Sequence, residues 1–311
     1  RRQRQMCIRD RFHPDHTSKA SLDARVKEAG FDTWTQLFAV EALPHLSGNR
    51  PGMAAWVPDG TTVSDQVFTI KRNPYFVGID PQGNQLPYID EIRFTFYADR
   101  EALNLAAVAG EIDFQGRHIS MSTYPVLKEN ENKANYRVVT WPTFGGSDAV
   151  VMLNQTWTGP EGEYFRNKDF RIALSHAIDR EAIKELAFYG LGESRQGVPA
   201  PFHPYYPGDE YAFRYTELDM DKANSLLDGI LPNKDSDGFR LMSNGNILDI
   251  EIGIVPQFGN WPDIGQLIVE NWAEVGVKAH IEIRERTQHF NMRPANAVSY
   301  THLRAHETTN Y

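Results

Sequence analysis

Between Leu248 and Ile283 the hydrophobic rhythm of the chain changes twice. Leu248, Ile250, Ile252 and Ile254 alternate with Asp249 and Glu251, the pattern of a strand with one buried face. Residues 263–275 then take helical spacing and stop at Gly276, after which Val277, Ala279, Ile281 and Ile283 alternate again. Strand, helix and strand with short joints imply a parallel crossover unit. A chain built around such a unit is α/β, and 311 residues are enough for two lobes.

Short elements of both kinds precede this unit. Residues 21–38 have helical spacing, with Leu22, Val26 and Ala29 on one side and Trp34, Leu37 and Phe38 after them. Residues 67–72 read as a strand. Residues 73–88 carry Pro74, Gly78, Pro81, Gly83 and Pro87 and read as a turn-rich excursion. Ile92, Phe94 and Phe96 alternate with Arg93, Thr95 and Tyr97. Asp99 is placed to cap a helix with Leu103, Ala106 and Ala107 on one face, Gly110 ends that helix, and residues 111–114 begin another extended segment. The apolar run 149–153 predicts a buried strand. Phe170, Leu174, Ala177 and Ile178 predict a helix. Asp179 caps a second one, with Ala182, Ile183 and Leu186 inward and Gly190 as terminator. Residues 197–208, with Pro199, Pro201, Pro204 and Pro207, are irregular, and 219–227 form a short helix.

The two ends stand apart from this pattern. Residues 1–11 are strongly basic and 298–311 have no periodicity that joins their neighbours. Met6-Cys-Ile-Arg-Asp10 can be encoded ATG TGT ATA AGA GAC, whose reverse complement GTC TCT TAT ACA CAT encodes Val298-Ser-Tyr-Thr-His302. Ends that are antisense copies of each other resemble translated sequencing-library adapters, so both are set aside as one sets aside a tag. The expected organisation is then an adapter-like 1–11, part of a first lobe over 12–148, part of a second over 149–297, and an adapter-like 298–311. On this reading both natural termini lie outside the chain, and a signal region with them. Cys7, the only cysteine, falls in the excluded end, leaving a cysteine-free segment compatible with export. The first end carries five arginines against one aspartate and the last is neutral. Without them the formal charge of −9 becomes −13. That balance excludes nucleic acid and anionic lipid surfaces as natural partners. No run of eighteen apolar residues is present.

Catalytic signatures are missing. There is no GxSxG elbow, no phosphate-binding glycine loop followed by Lys-Ser/Thr, and no GxGxxG fingerprint. None of the histidines between the two ends, including His13, His16, His45 and His176, pairs at the helical spacing a zinc hydrolase uses. His176 reads as a core or surface histidine. Asn233-Lys-Asp-Ser-Asp-Gly238 begins like a calcium loop, but the twelfth position is Asn244 where a bidentate glutamate is needed, so the segment reads as a polar turn. Gly145-Gly-Ser147 is a flexible joint that either lines a cleft or simply turns. No cofactor and no metal are implied.

Four stretches carry a resemblance. Lys71-Arg-Asn-Pro-Tyr-Phe76, Gly83-Asn-Gln-Leu-Pro-Tyr-Ile-Asp-Glu-Ile92, Gly110-Glu-Ile-Asp-Phe114 and Phe165-Arg-Asn-Lys-Asp-Phe-Arg-Ile-Ala-Leu-Ser-His-Ala-Ile-Asp-Arg180 occur in this order. Together they resemble the oligopeptide/dipeptide-type solute-binding proteins of family 5, over about 12–297. The resemblance implies a two-lobed, type II periplasmic-binding-protein-like α/β fold that is incomplete at both ends. It implies a monomer held outside the cytoplasm, in the periplasm or beyond, with a lipid anchor as an option. Such a protein closes on a peptide or other small polar ligand by hinge motion and delivers it, unaltered, to the permease subunits of an ABC importer. By the same analogy Gln115, Arg117 and His118, then Gly145, Gly146 and Ser147, face the ligand, Trp261 forms a pocket wall and Arg293 a cationic contact. The Trp-x-x-Asp region that holds a peptide's α-ammonium in such proteins has no counterpart before Val298, which leaves peptide, sugar, opine and metal complex open as ligand classes. Two other readings of the whole are a hydrolase using two acidic residues on the same scaffold and a receptor lobe that senses without transport.

Overall fold

A computed structural model describes residues 11–43, 45–48, 52–142, 146–256, 259–292 and 296. Of the residues singled out above, Gly145 and Arg293 lie outside that set, as do 1–10 and 297–311. The chain divides into two compact units, 1–102 and 103–311. The lobe boundary expected at Asp148 falls inside the second.

In the first unit, helices Lys19–Glu28 and Trp34–Glu41 replace the single helix that the spacing of 21–38 predicts. The break has a local cause. The Thr33 side chain accepts from Gln36 N while the Gln36 side chain accepts from Thr33 N, a reciprocal cap that starts a new helix. Strands β1 (Trp56–Pro58), β2 (Val67–Arg72) and β3 (Glu91–Thr95) then form an antiparallel meander in that order. Phe68 lies opposite Phe94, their rings stacked 5.8 Å apart. The excursion between β2 and β3 is organised by two short polar side chains. Buried Asn73 donates from Nδ2 to the carbonyls of Gly52 and Ala54. Asp80 accepts from the Tyr88 hydroxyl, the Asn84 amide and the backbone of Gln82 and Asn84, and the Tyr88 bond foremost holds its carboxyl at about 2.

The second unit contains the largest core. As the alternation predicts, β4 (Asp249–Ile254) and β5 (Lys278–Ile283) pair in parallel, joined by helix Trp261–Glu274. Leu248, Ile250, Ile252 and Ile254 are all completely buried. Each such side chain is worth about 1.5–3 kcal/mol over its exposed state. The far end of β5 departs from expectation: Ile283 is 49% exposed. Helix Lys168–His176 starts at Asn167, which accepts from the amides of Asp169 and Phe170. Helix Arg180–Phe188 starts at Asp179, which accepts from Ala182 N. Their junction is the Ala-Ile-Asp-Arg stretch. Arg180 donates to the carbonyls of Ser175 and Thr216 and to the Ser175 hydroxyl, and burial lowers its guanidinium to about 10. His176 is fully buried, with Nδ1 3.1 Å from the Glu217 carbonyl, so the core placement holds.

Three local expectations are corrected. Leu186 points outward, 66% exposed; the buried positions of its helix are Ile183 and Ala187. Residues 149–153 make no ladder among the described residues, although Ala149, Val151 and Leu153 do turn toward the core. Their alternation encodes facing, and a strand also needs a partner's backbone. Residues 111–114 are likewise outside any ladder. The calcium-like segment is a turn in which Asp235 accepts from the amides of Asp237 and Phe239.

Candidate ligand-binding site

Helix Arg100–Ala109 is capped by Asp99, which accepts from Ala102 N at 2.8 Å, and it ends at Gly110. Only glycine fits there. Its φ is +77°, and a Cβ would stand 2.5 Å from the Ala134 carbonyl oxygen. This close approach locks the helix end against the end of helix Tyr124–Ala134 and fixes where residues 111–118 emerge. Gln115 donates from Nε2 to the Arg117 carbonyl, and His118 follows in the left-handed region at φ 65°. Gln115, Arg117 and His118 are all exposed.

The chain returns through helix Tyr124–Ala134, which stops at Asn135 in the left-handed conformation. Glu131 organises the exit. Its carboxylate accepts from Lys128 Nζ at 2.6 Å and from Val138 N at 2.5 Å, and these two bonds, the Lys128 bond first, hold it below its ordinary value. The Tyr136 hydroxyl donates to the Leu127 carbonyl at 2.8 Å. With the exit strapped to its own helix, Trp141 comes back beside Phe114. Their ring centroids are 6.3 Å apart with planes at 45°, and the two side chains are 70% and 75% exposed. The turn 115–118 and the segment leading to Ser147 therefore meet at one aromatic contact.

The second joint is anchored elsewhere. Gly146 adopts φ +70°, and a Cβ on it would lie 1.9 Å from the Val198 carbonyl oxygen, so the joint is pressed onto the irregular 197–200 segment. The Ser147 hydroxyl donates to the Ala149 carbonyl at 2.8 Å, which commits its proton within the chain. Asp148 beside it is half-buried, and among the described residues no hydrogen bond or ion pair reaches its carboxyl. Burial alone raises its pKa. Trp261 opens the crossover helix inside the core at 2% exposure, so its ring packs protein, and a ligand would reach it only after neighbouring atoms moved.

Sequence reasoning thus located the two joints and passed over the aromatic pair between them. Phe114 ended a predicted extended segment and Trp141 sat in unassigned chain. The only local signal was a large aromatic beside a chain-breaking residue, as in Trp141-Pro142. Among the described residues no cluster of three His, Cys, Asp or Glu side chains is arranged to hold a metal ion. None of their helices is long and apolar enough to cross a membrane.

Comparison with known proteins adds the following. The profile described as "Bacterial extracellular solute-binding proteins, family 5 Middle" matches residues 51–302. A periplasmic alpha-galactoside-binding protein of Rhizobium meliloti (strain 1021) is 30% identical over 226 residues, covering 66% of this chain and 31% of that protein. Among solved structures, an oligopeptide-binding protein OppA superposes with a TM-score of 0.64 at 32% identity, covering 95% of this chain and 48% of the other. The periplasmic binding protein MelB of Agrobacterium fabrum C58, solved with stachyose, gives 0.65 at 21% identity over 95% of this chain and 43% of its own, a likeness of fold. The chain spans about a third of the curated relatives it matches and about half of these structures.

Proposed function

The chain belongs to the bacterial extracellular solute-binding proteins of family 5, and from that premise we propose that it is the ligand-carrying part of an extracytoplasmic receptor feeding an ABC importer. Its fold is the type II periplasmic-binding-protein-like α/β fold, and its relatives are binding proteins rather than enzymes. The observation that supports the reading most directly is the family profile, which covers most of the chain and both joints. On this reading the protein works as a monomer outside the cytoplasm, with or without a lipid anchor. It passes an unaltered small solute to permease subunits, and 12–148 and 149–297 contribute to its two lobes.

The ligand class is the finer part of the proposal. One relative is an alpha-galactoside-binding protein and another, from Bacillus subtilis, an oligopeptide-binding protein. The 30% identity of the former favours a neutral oligosaccharide, with peptide as the second reading. Gln115, Arg117, His118 and the 145–147 joint are retained as polar contacts, together with Arg293. Calorimetric titration of the purified chain with oligosaccharides and short peptides tests the reading, with chromatography of the ligand afterwards. Saturable binding with intact ligand is the expected result, and turnover of the ligand would replace the carrier with a hydrolase.

A further inference from the structure

Resting on that carrier reading and deepening it, we propose that Phe114 and Trp141 form the stacking platform on which a sugar ring of the ligand lies. Both rings are mostly exposed and in mutual contact. Large aromatics are costly to leave in water, because each carries a large apolar surface whose burial contributes strongly to binding. This pair is nonetheless held out of the core by fixed structure on both sides. The Gly110–Ala134 approach sets Phe114, and the Glu131 and Tyr136 bonds set the return to Trp141.

The surroundings decide what fits. Glu111, Asp113, Gln115, Arg117 and His118 are all exposed next to Phe114 in the chain. A purely apolar partner would bring these polar groups against a surface that cannot hydrogen-bond. A pyranose presents both required surfaces, a C–H face for the rings and a rim of hydroxyls for amide, guanidinium and carboxylate groups. Charge on the ligand is not needed at the rings themselves. Trp261, by contrast, is spent on the core.

Trp141 is the one mostly exposed tryptophan of the six, which makes the test direct. The chain is titrated with raffinose and with a tetrapeptide by calorimetry, and acrylamide quenching of tryptophan fluorescence is followed in parallel. Raffinose should bind and shield one quenchable tryptophan. Trp141→Ala and Phe114→Ala should each weaken binding about tenfold, with melting temperatures unchanged because both side chains lie at the surface, and Trp141→Phe should keep most of the affinity. Raffinose binding that stays within about twofold in both alanine variants would overturn the platform and leave the carrier reading standing. So would binding of the tetrapeptide without raffinose. Failure of both probes to bind the chain would overturn the two together.

Discussion

The indole Nε1 of Trp272 donates a hydrogen bond to the Leu174 carbonyl oxygen at 3.1 Å, joining the crossover helix to the helix of the Ala-Ile-Asp-Arg junction. Both residues are buried, and Asn271 on the same helix accepts from Asp179 N at 2.9 Å. Two adjacent side chains of one helix thus hold the turn between two others, where low dielectric makes each bond costly to leave unmade.

Trp272→Ala should destabilise the protein by about 3–5 kcal/mol. Trp272→Phe, which keeps most of the apolar volume but orphans the Leu174 carbonyl, should cost about 1–3 kcal/mol. Urea denaturation followed by circular dichroism reads the difference. Equal losses in the two variants would mean that the hydrogen bond contributes nothing.

Gly110→Ala should cost about 1–3 kcal/mol, since the added methyl meets the Ala134 carbonyl in a left-handed backbone. Gly83→Ala is the control. Its φ is +86°, but nothing lies within 4 Å of the new Cβ, so only the backbone preference of about 1 kcal/mol is lost. Thermal melts of the two variants should separate in that order, and the reverse order would refute the packing argument.

Asp148→Asn should raise the melting temperature at neutral pH by about 2 °C. Its carboxyl is raised by burial, so the folded state holds the proton more tightly than the unfolded one. The stability tied to that proton is complete below the ordinary value of 3.8 and fades as pH rises through the folded value. The advantage of asparagine should therefore vanish in acid. A gain that persisted unchanged there would point to a cause other than charge.

Asp249→Asn should behave in the opposite sense. Burial opposes the charge of Asp249, but bonds from Lys278 at 3.0 Å and from His280 at 2.8 Å outweigh it and lower its pKa. The contribution is present above the ordinary 3.8 and lost as pH falls through the folded value. The variant should be less stable by about 0.5 kcal/mol near neutrality, converging on the parent in acid. High salt should shrink the gap.

The fold was most legible where a single period runs long enough to be counted. Leu248 through Ile283 follows its alternation almost to the end, and Asp99 and Asp179 cap the helices their positions predict. Signals failed where the deciding partner is distant. Residues 149–153 alternate but lack a ladder, and Leu186 belongs to a helix whose buried stripe is narrower than its apolar content. At the site, turn chemistry marked both joints. The meeting of Phe114 and Trp141 depends on a helix folding back between them, which no local pattern records. Thr33 and Gln36 were a missed opportunity, since their spacing alone announces a new helix start.

The ionic side of β5 has a consequence for how copies of the protein behave together. Lys278, His280 and Glu282 occupy every second position of that strand, and among the described residues β4 is its sole ladder neighbour. A bare backbone edge is an invitation to fibril-like stacking of identical chains. Regularly spaced charges make such self-pairing unfavourable, because like groups would line up in register. At high concentration this strand should act as a guard against aggregation.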